Sequence, residues 1–440
     1  KPTDGRVTDP HLRWLLMDPS RGMLASASMD IVLVFLGLEL ISIPTYVLLF
    51  LGSNTSRQAR AAGESAIKYF LLSIVSSGIL LYGFTLIYGA AGSTSLPEIN
   101  AALRESATTS LLPAVALVLV FAGLCFKIAA VPFHFYAPDV YQGTTNGNAG
   151  VLAVLPKIAG IVVLVRVAGV ALPGVETYGW QIALVIAALT MTLGNLAALW
   201  QNNIRRMLAY SSIAHSGYML IGLVIAFSLA AAGDGRQSGL TAMLFYLAVY
   251  ALATAGTFAA LSCLGSRERE IDDIDQLAGL LKTRPLVAGV ISLFMFSLTG
   301  IPPLAGFWGK LSLFGGLLHA AWSVDPTTSG WLIALAILGV LNAAASAGYY
   351  LRVVGVMCFG SPAEEQADAQ PTPSESPPGA LFGAVVCGLL VLVVGFAPGT
   401  LMNHARDAGR AAITTSQLYQ PQAKTSPTEA EEDGDAVSRK

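Results

Sequence analysis

At 440 residues, 54% hydrophobic and only 12% charged, the chain carries about half the charge of an ordinary soluble domain, where about 25% of residues are charged. That composition excludes a water-soluble globular fold and reads as a polytopic membrane protein. A formal net charge of −2, with no basic patch interleaved with aromatics, gives no reason to expect nucleic acid as a partner.

Residues 1–29 form a polar segment with Arg6, Arg13 and Arg21 and lack the apolar core of a signal peptide. Ten segments then reach the roughly 20 apolar residues that a spanning helix needs: 30–51, 64–89, 111–130, 148–172, 177–201, 207–232, 238–263, 284–320, 329–358 and 379–401. Backbone groups in lipid must find partners within their own segment, so runs of this length predict helices. The expected fold class is all-α, a transmembrane helix bundle of about ten spans.

Prolines interrupt the third span, at VPFH around Pro132, and the eighth, at TGIPPLAGF around Pro302 and Pro303. Proline removes an N–H and frees a carbonyl, which is tolerated where water or polar groups line a cavity. The breaks lie five helices apart, and an odd offset reverses direction across the membrane. A five-helix unit repeated twice with inverted topology follows from that spacing, as in transporters whose sites lie near the midplane.

Loop charges set the expected orientation. One face carries Arg57, Arg60, Arg205, Arg206, Arg267, Arg269, Lys282 and Arg284; between helices the other has only Arg104 and Arg236. The first face is expected to be cytoplasmic, with both termini on the opposite side. REREIDDIDQLAGL, 267–280, is open between a short surface helix, a partner contact and a solvated connector. The proline-rich stretch 361–378 reads as a disordered linker to the last span, 379–401, and residues 402–440 as a polar tail.

Four of the eight lysines, Lys68, Lys127, Lys157 and Lys310, fall inside apolar segments, together with one carboxylate, Glu39. A lysine at the centre of a bilayer costs about 2.5–3.5 kcal/mol on insertion scales, and such residues mark ion or proton paths. Lysine can lose its proton inside a protein whereas arginine does not, so the pattern points to moving protons. Glu39 is too short to reach the surface and is paired here with Lys127, either as a working pair or as a static one. Lys157 reads as a relay or a snorkelling lysine. Lys310 reads as the terminal relay, and Lys68 as a relay or an ordinary i, i+4 partner of Glu64. His134 titrates near neutrality and can pass protons, or can rest on backbone carbonyls. His215, among Ser211, Ser212 and Ser216, reads as structural or hydrating.

Cys125, Cys263, Cys358 and Cys387 are far apart in apolar context and form no CxxC or Cys/His cluster. They read as small buried hydrophobes, with no metal centre expected. The scattered histidines do not pair as haem ligands.

ESAIKYFLLSIVSSGILLYG, FKIAAVPFHFYAPDVYQG, LPKIAG, NIRRMLAYSSIAHSGYML and TGIPPLAGFWGK together resemble the antiporter-like membrane subunits of the proton-pumping NADH–quinone oxidoreductase, respiratory complex I. The resemblance runs from about Gly22 to Leu401, and PFHFYAPDVYQG resembles the subunit N type rather than L or M. It implies a proton channel of two inverted five-helix units, in which the glutamate of GLEL, Glu39, acts with Lys127. Lys68, Lys157 and Lys310 match the other lysines of the hydrated axis. It also implies no cofactor in this chain. NADH, FMN, iron–sulfur clusters and quinone would belong to partner subunits, and the setting would be a bacterial plasma membrane with lipid and the other membrane subunits as neighbours.

The family pattern places about four further helices before GLEL, so the chain is expected to be N-terminally truncated relative to it. The first unit, residues 30–172, then keeps four helices, and the second occupies 177–358. TTNGNAGVLAV also departs from a proline-containing segment common in the family. The leading expectation is a subunit of a redox-driven proton pump; the alternatives are a subunit of a cation/proton antiporter and a membrane scaffold.

Overall fold

In a computed structural model of the chain, residues 28–51, 56–106, 112–170, 176–229, 234–264, 271–361 and 378–417 are described. Among them the regular elements are helices: α1 (Ile31–Leu51), α2 (Ser56–Ala91), α3 (Leu96–Ser106), α4 (Leu112–Lys127), α5 (Tyr136–Gln142), α6 (Asn146–Val170), α7 (Glu176–Leu199) and α8 (Ile204–Ser228). There follow α9 (Asp234–Ser262), a 3₁₀ turn (Ile274–Leu277), α10 (Leu280–Thr283), α11 (Pro285–Thr299), α12 (Ala305–Trp322), α13 (Pro326–Phe359), α14 (Pro378–Phe396) and α15 (Pro398–Gln417). Eight of these are long and apolar enough to cross a membrane, and α4 and α11 are shorter apolar helices ending at the two breaks. The chain is a multi-pass membrane protein.

α1 shows how the spans are oriented. Val32, Leu36, Leu40, Ile43 and Val47 are exposed, at the three- and four-residue spacing of one helix face, while Val34, Leu38, Ser42, Thr45 and Leu49 form the buried face. An exposed apolar stripe on a spanning helix is what lipid accepts. α8 is the innermost span, with nearly every residue buried, and packs against α7, α9, α12 and the half-helix α5. Its sequence allows this because small residues let backbones approach. A Cβ on Gly217 would lie 2.5 Å from the Met191 amide of α7, and one on Gly194 would lie 2.6 Å from the Ala214 amide of α8.

The span over 284–320 is interrupted where its prolines place the break: α11 and α12 are separated at Gly300–Leu304, because Pro302 and Pro303 supply no N–H to a helix ladder. Two features differ from the sequence reading. The polar tail expected from residue 402 begins as the amphipathic helix α15, whose Ala405 and Ala412 are buried against the bundle. α15 packs on α9, α6 and α3, so the polar sequence covers one end of the bundle. Finally, Leu96–Ser106 forms a short helix, α3, between the second and third spans.

The segment 271–280 is pinned rather than a free connector. Asn203 and Asp273 pair as a bridge, Ile204 N–H donates to the Asp272 carbonyl and Ile274 N–H to the Asn202 carbonyl. The side chain of Arg205 bonds to Asp272. Residues 265–270, 362–377, 418–440 and 1–27, which include most of the expected linker, tail and N-terminal segment, lie outside the described residues.

Gly217→Ala is expected to destabilise the bundle by about 1–3 kcal/mol through overpacking. Gly289→Ala, where an added methyl meets nothing within 4 Å, should leave the thermal midpoint in detergent where it is; equal shifts for the two would contradict the packing.

Candidate functional site

The first break places a lysine at the end of a helix. Lys127 is the last residue of α4; Ala129 follows with a left-handed φ of 56°, and then cis Pro132. A non-glycine residue in that region costs about 1–2 kcal/mol, so neighbours must hold it. They do so by answering the freed backbone. Ser216 of α8 donates to the Ile128 carbonyl at 2.6 Å, Thr190 of α7 accepts from the Val131 N–H at 3.0 Å, and Tyr136 donates to the Phe126 carbonyl at 2.9 Å.

Lys127 Nζ lies inside the bundle, 5% exposed. It donates to Glu39 Oε1 at 3.0 Å and Ser42 Oγ at 2.8 Å, with Ser73 and Ser77 each at 3.4 Å. Ser77 in turn donates to Glu39 at 2.6 Å. The ammonium is thus held by one carboxylate and a ring of hydroxyls from α1 and α2, which meets the condition for a buried charge to persist.

On its other side Lys127 shares a small cavity with Lys157. Tyr69, Ala129, Tyr136, Tyr141 and Pro156 also line it, and its volume of about 10 Å³ is close to what one water requires. Lys157, 3% exposed, donates to the carbonyl of Ser212 at 2.5 Å and to its hydroxyl at 2.6 Å. Tyr250 donates to the same hydroxyl at 2.7 Å, and the Lys157 ammonium lies 4.9 Å from the centre of the Tyr250 ring.

His215 occupies the middle of the path, one helical turn along α8 from Ser211 and Ser212. Its Nδ1 bonds to Tyr246 Oη at 2.7 Å and its Nε2 to Tyr350 Oη at 2.9 Å; Tyr350 also bonds to Ser211. The imidazole is 5.2 Å from the Tyr250 ring on the Lys157 side and 5.9 Å from the Tyr218 ring on the other. Tyr218 leads to Lys310, whose ammonium sits 5.2 Å from that ring's centre and donates to the Thr299 carbonyl at 2.8 Å.

Lys310 belongs to the second break. α11 ends at Thr299, and Gly300 turns the chain with φ of 94°. The freed Thr299 carbonyl is the oxygen that Lys310 uses. Only glycine fits at 306, where a Cβ would collide with the Ser297 carbonyl. Lys127 closes the helix before its break, whereas Lys310 lies inside the helix after its break, so the two lysines are held in different ways.

Residues 28–339 match the family described as NADH:quinone oxidoreductase/Mrp antiporter, TM. The chain is 39% identical over 389 residues to NADH-quinone oxidoreductase subunit N of Trichlorobacter lovleyi, which covers 88% of this chain and 74% of that relative. The chain belongs to this family. Among solved structures it is similar to a chain of respiratory complex I from Thermus thermophilus with bound Aureothin, with TM-score 0.69, 34% identity, and 87% of this chain and 77% of that one covered. A chain of the Mrp complex from Dietzia sp. aligns with TM-score 0.78 over 93% of this chain and 79% of that one, at 23% identity, a likeness of fold alone.

Within this family fold the structure gathers Glu39, Lys127, Lys157 and Lys310 along one buried path, but not Lys68 or His134. Lys68 is at the surface, its side chain 45% exposed, bonded to Glu64 at 2.7 Å and Asp139 at 3.3 Å. Four residues after the start of its apolar run at Glu64, it still lies near the arginine-rich end, where a long side chain reaches polar partners. His134 is half-buried, close in sequence to the exposed Pro132 and Phe135, and its buried Nδ1 has no protein partner. The sequence reading missed the tyrosines Tyr246, Tyr250 and Tyr350, and it named Ser212 only as one of the hydrating serines around His215, not as the partner of Lys157. The available signal was the polar face of SSIAHSGY on the most enclosed helix. Among the described residues there is no group of three or more His, Cys, Asp or Glu able to hold a metal ion.

Glu39→Leu strands the Lys127 ammonium and is expected to cost about 3–5 kcal/mol of stability, whereas adding Lys127→Met should recover most of it. Thermal unfolding in detergent of the two single variants and the double variant checks the pair; additive losses would contradict it.

Proposed function

We propose that this chain is the proton-translocating membrane subunit N of an NADH–quinone oxidoreductase. Protons pass through it along Glu39, Lys127, Lys157, His215 and Lys310 while electron transfer from NADH to quinone proceeds in partner subunits. The observation that carries the reading is the series of titratable groups inside an apolar bundle: the Glu39–Lys127 pair, the cavity Lys127 shares with Lys157, the Ser212 and tyrosine hydroxyls around Lys157 and His215, and Lys310 beyond Tyr218. Partner subunits of the same complex are assigned the FMN, iron–sulfur clusters and quinone. The arginine-rich face is assigned to the cytoplasm of a bacterial cell, and both ends of the span array to the outer side of its plasma membrane. The spans divide into two five-helix units of opposite topology, 30–172 with four helices and 177–358.

The chemistry of each step follows from its groups. While Glu39 is close, its carboxylate and the hydroxyls of Ser42 and Ser77 hold the proton on Lys127. When Glu39 is drawn away, the Lys127 ammonium loses its ionic partner. Its proton then has the cavity as a route to Lys157, which must arrive at that moment without one. Lys157 passes charge through the hydroxyls of Ser212 and Tyr250 toward His215. Imidazole accepts at one nitrogen and releases at the other, and its two nitrogens are already bonded to two different tyrosines. From there the path runs by Tyr218 to Lys310. The signal from the redox subunits enters as movement of charge near Glu39.

The test is the assembled complex in vesicles, with proton uptake and NADH oxidation measured together. Lys127→Ala should reduce pumping by tenfold or more, and His215→Leu should do so far more than His134→Leu, which should stay within about twofold of the parent. Unchanged pumping with Lys127→Ala would sink the relay.

A further inference from the structure

Asp139 stands outside the relay, and the structure gives it more ionic partners than any other carboxylate among the described residues. Its Oδ1 accepts from Arg206 at 2.6 Å and its Oδ2 from Lys68 at 3.3 Å. Arg206 also donates to Gln142 at 3.0 Å, and Ser65 to the Asp139 backbone carbonyl at 3.0 Å. The partners come from three places: Lys68 and Ser65 from α2, Arg206 from the start of α8, and Gln142 from α5 itself.

α5 is seven residues long, about 10 Å. A helix of that length is not stable by itself and is held only by what it touches. Its inner side carries Tyr136, Ala137, Val140 and Tyr141, and all four line the cavity between Lys127 and Lys157. Tyr136 stacks on Phe126 at 4.4 Å and on Tyr69 at 5.3 Å. The half-helix is therefore a wall of the relay cavity, with aromatic contacts on its inner side. On its outer side is one carboxylate shared by two cations, with side-chain exposures of 37% for Asp139, 45% for Lys68 and 31% for Arg206. That position places the ion cluster between external water and the cavity.

We propose that Asp139 is a positioning residue whose grip on Lys68 and Arg206 keeps α5 seated as the wall between the arginine-rich face and the Lys127–Lys157 cavity, and that releasing this grip opens the cavity to water from that face. Lys68 thereby acts as an anchor of the wall and not as a proton carrier. The motif PDVYQG has a physical content here: the aspartate faces the clamp, and the tyrosine two residues on faces the cavity. An isolated surface ion pair is weak. A carboxylate shared by two cations on a segment with little stability of its own has more control over where that segment sits. This inference rests on the relay reading for its functional consequence, though the seating of α5 does not depend on it.

The experiment uses the assembled complex in vesicles carrying Asp139→Asn, Asp139→Glu or Arg206→Gln. Backbone amide exchange of residues 136–142 is followed by mass spectrometry, beside labelling of Ala137→Cys by a charged thiol reagent. Asp139→Asn should raise amide exchange and thiol labelling tenfold or more and lower protons pumped per NADH oxidised. Arg206→Gln, which removes only one arm, should do the same to a smaller extent, and Asp139→Glu should restore both readouts to within about twofold of the parent. Exchange and labelling that stay at the parent level in both Asp139→Asn and Arg206→Gln would overturn the proposal, as would Asp139→Glu behaving like Asp139→Asn. Lys127→Ala run in parallel separates the two ideas. If it leaves pumping intact, the relay fails, while exchange at 136–142 still decides the seating of α5.

Discussion

A positive charge in the interior of an apolar bundle needs an answer from its surroundings, and the organisation around Lys127 is that answer. Its ammonium has one carboxylate and several hydroxyls within reach. The hydroxyls come from the buried faces of α1 and α2, which also carry Thr45 and Ser76. Ser42 on α1 and Ser73 and Ser77 on α2 are small enough to leave room for the lysine and polar enough to replace part of its hydration. Replacing them with alanines would preserve the packing volume while removing what makes the charge tolerable. The first two spans are thus shaped by a residue on the fourth helix.

The helix breaks follow from the same requirement, applied to the backbone. Each interruption strands carbonyls and N–H groups that lipid cannot satisfy. In the first break the neighbours pay them attention: Thr190, Ser216 and Tyr136 each take one group. In the second, Lys310 itself takes the Thr299 carbonyl. The breaks therefore do two jobs. They open the helix ladder where a polar path has to cross it, and they recruit polar side chains from α7 and α8 into that path.

How much of this is legible in sequence depends on whether the signal is local. Long apolar runs and the positions of Pro132, Pro302 and Pro303 locate the spans and both breaks, because span length and proline geometry are properties of the segment alone. Glu39 and Lys127 are visible because short or mid-span charges have nowhere else to go. Lys68 shows the limit: its place within an apolar run is the same kind of signal as that of Lys157. Only the packing of α2 against α5 tells that one ends at the surface and the other beside Ser212. His134 and His215 differ in the same way. Both lie in polar-containing apolar stretches, and what separates them is that α8 is enclosed on every side while the break at Pro132 has an open flank. α15 was hidden for a different reason, since a polar helix that covers the end of a bundle has the composition of a disordered tail.

The three buried lysines are not interchangeable, and the difference bears on direction. Among the described residues, Lys127 has a carboxylate partner, while Lys157 and Lys310 are held by carbonyls, a hydroxyl and the faces of tyrosines. Neutral dipoles fixed in a packed helix change little as the protein moves, but a carboxylate on a neighbouring span can be displaced. A small shift of Glu39 changes the electrostatics of Lys127 far more than that of Lys310, because Glu39 is in hydrogen-bond contact with Lys127 and Coulomb energy varies inversely with separation. The response to a moving carboxylate is thereby concentrated at Lys127, while Lys157 and Lys310 keep partners fixed in the packed helices.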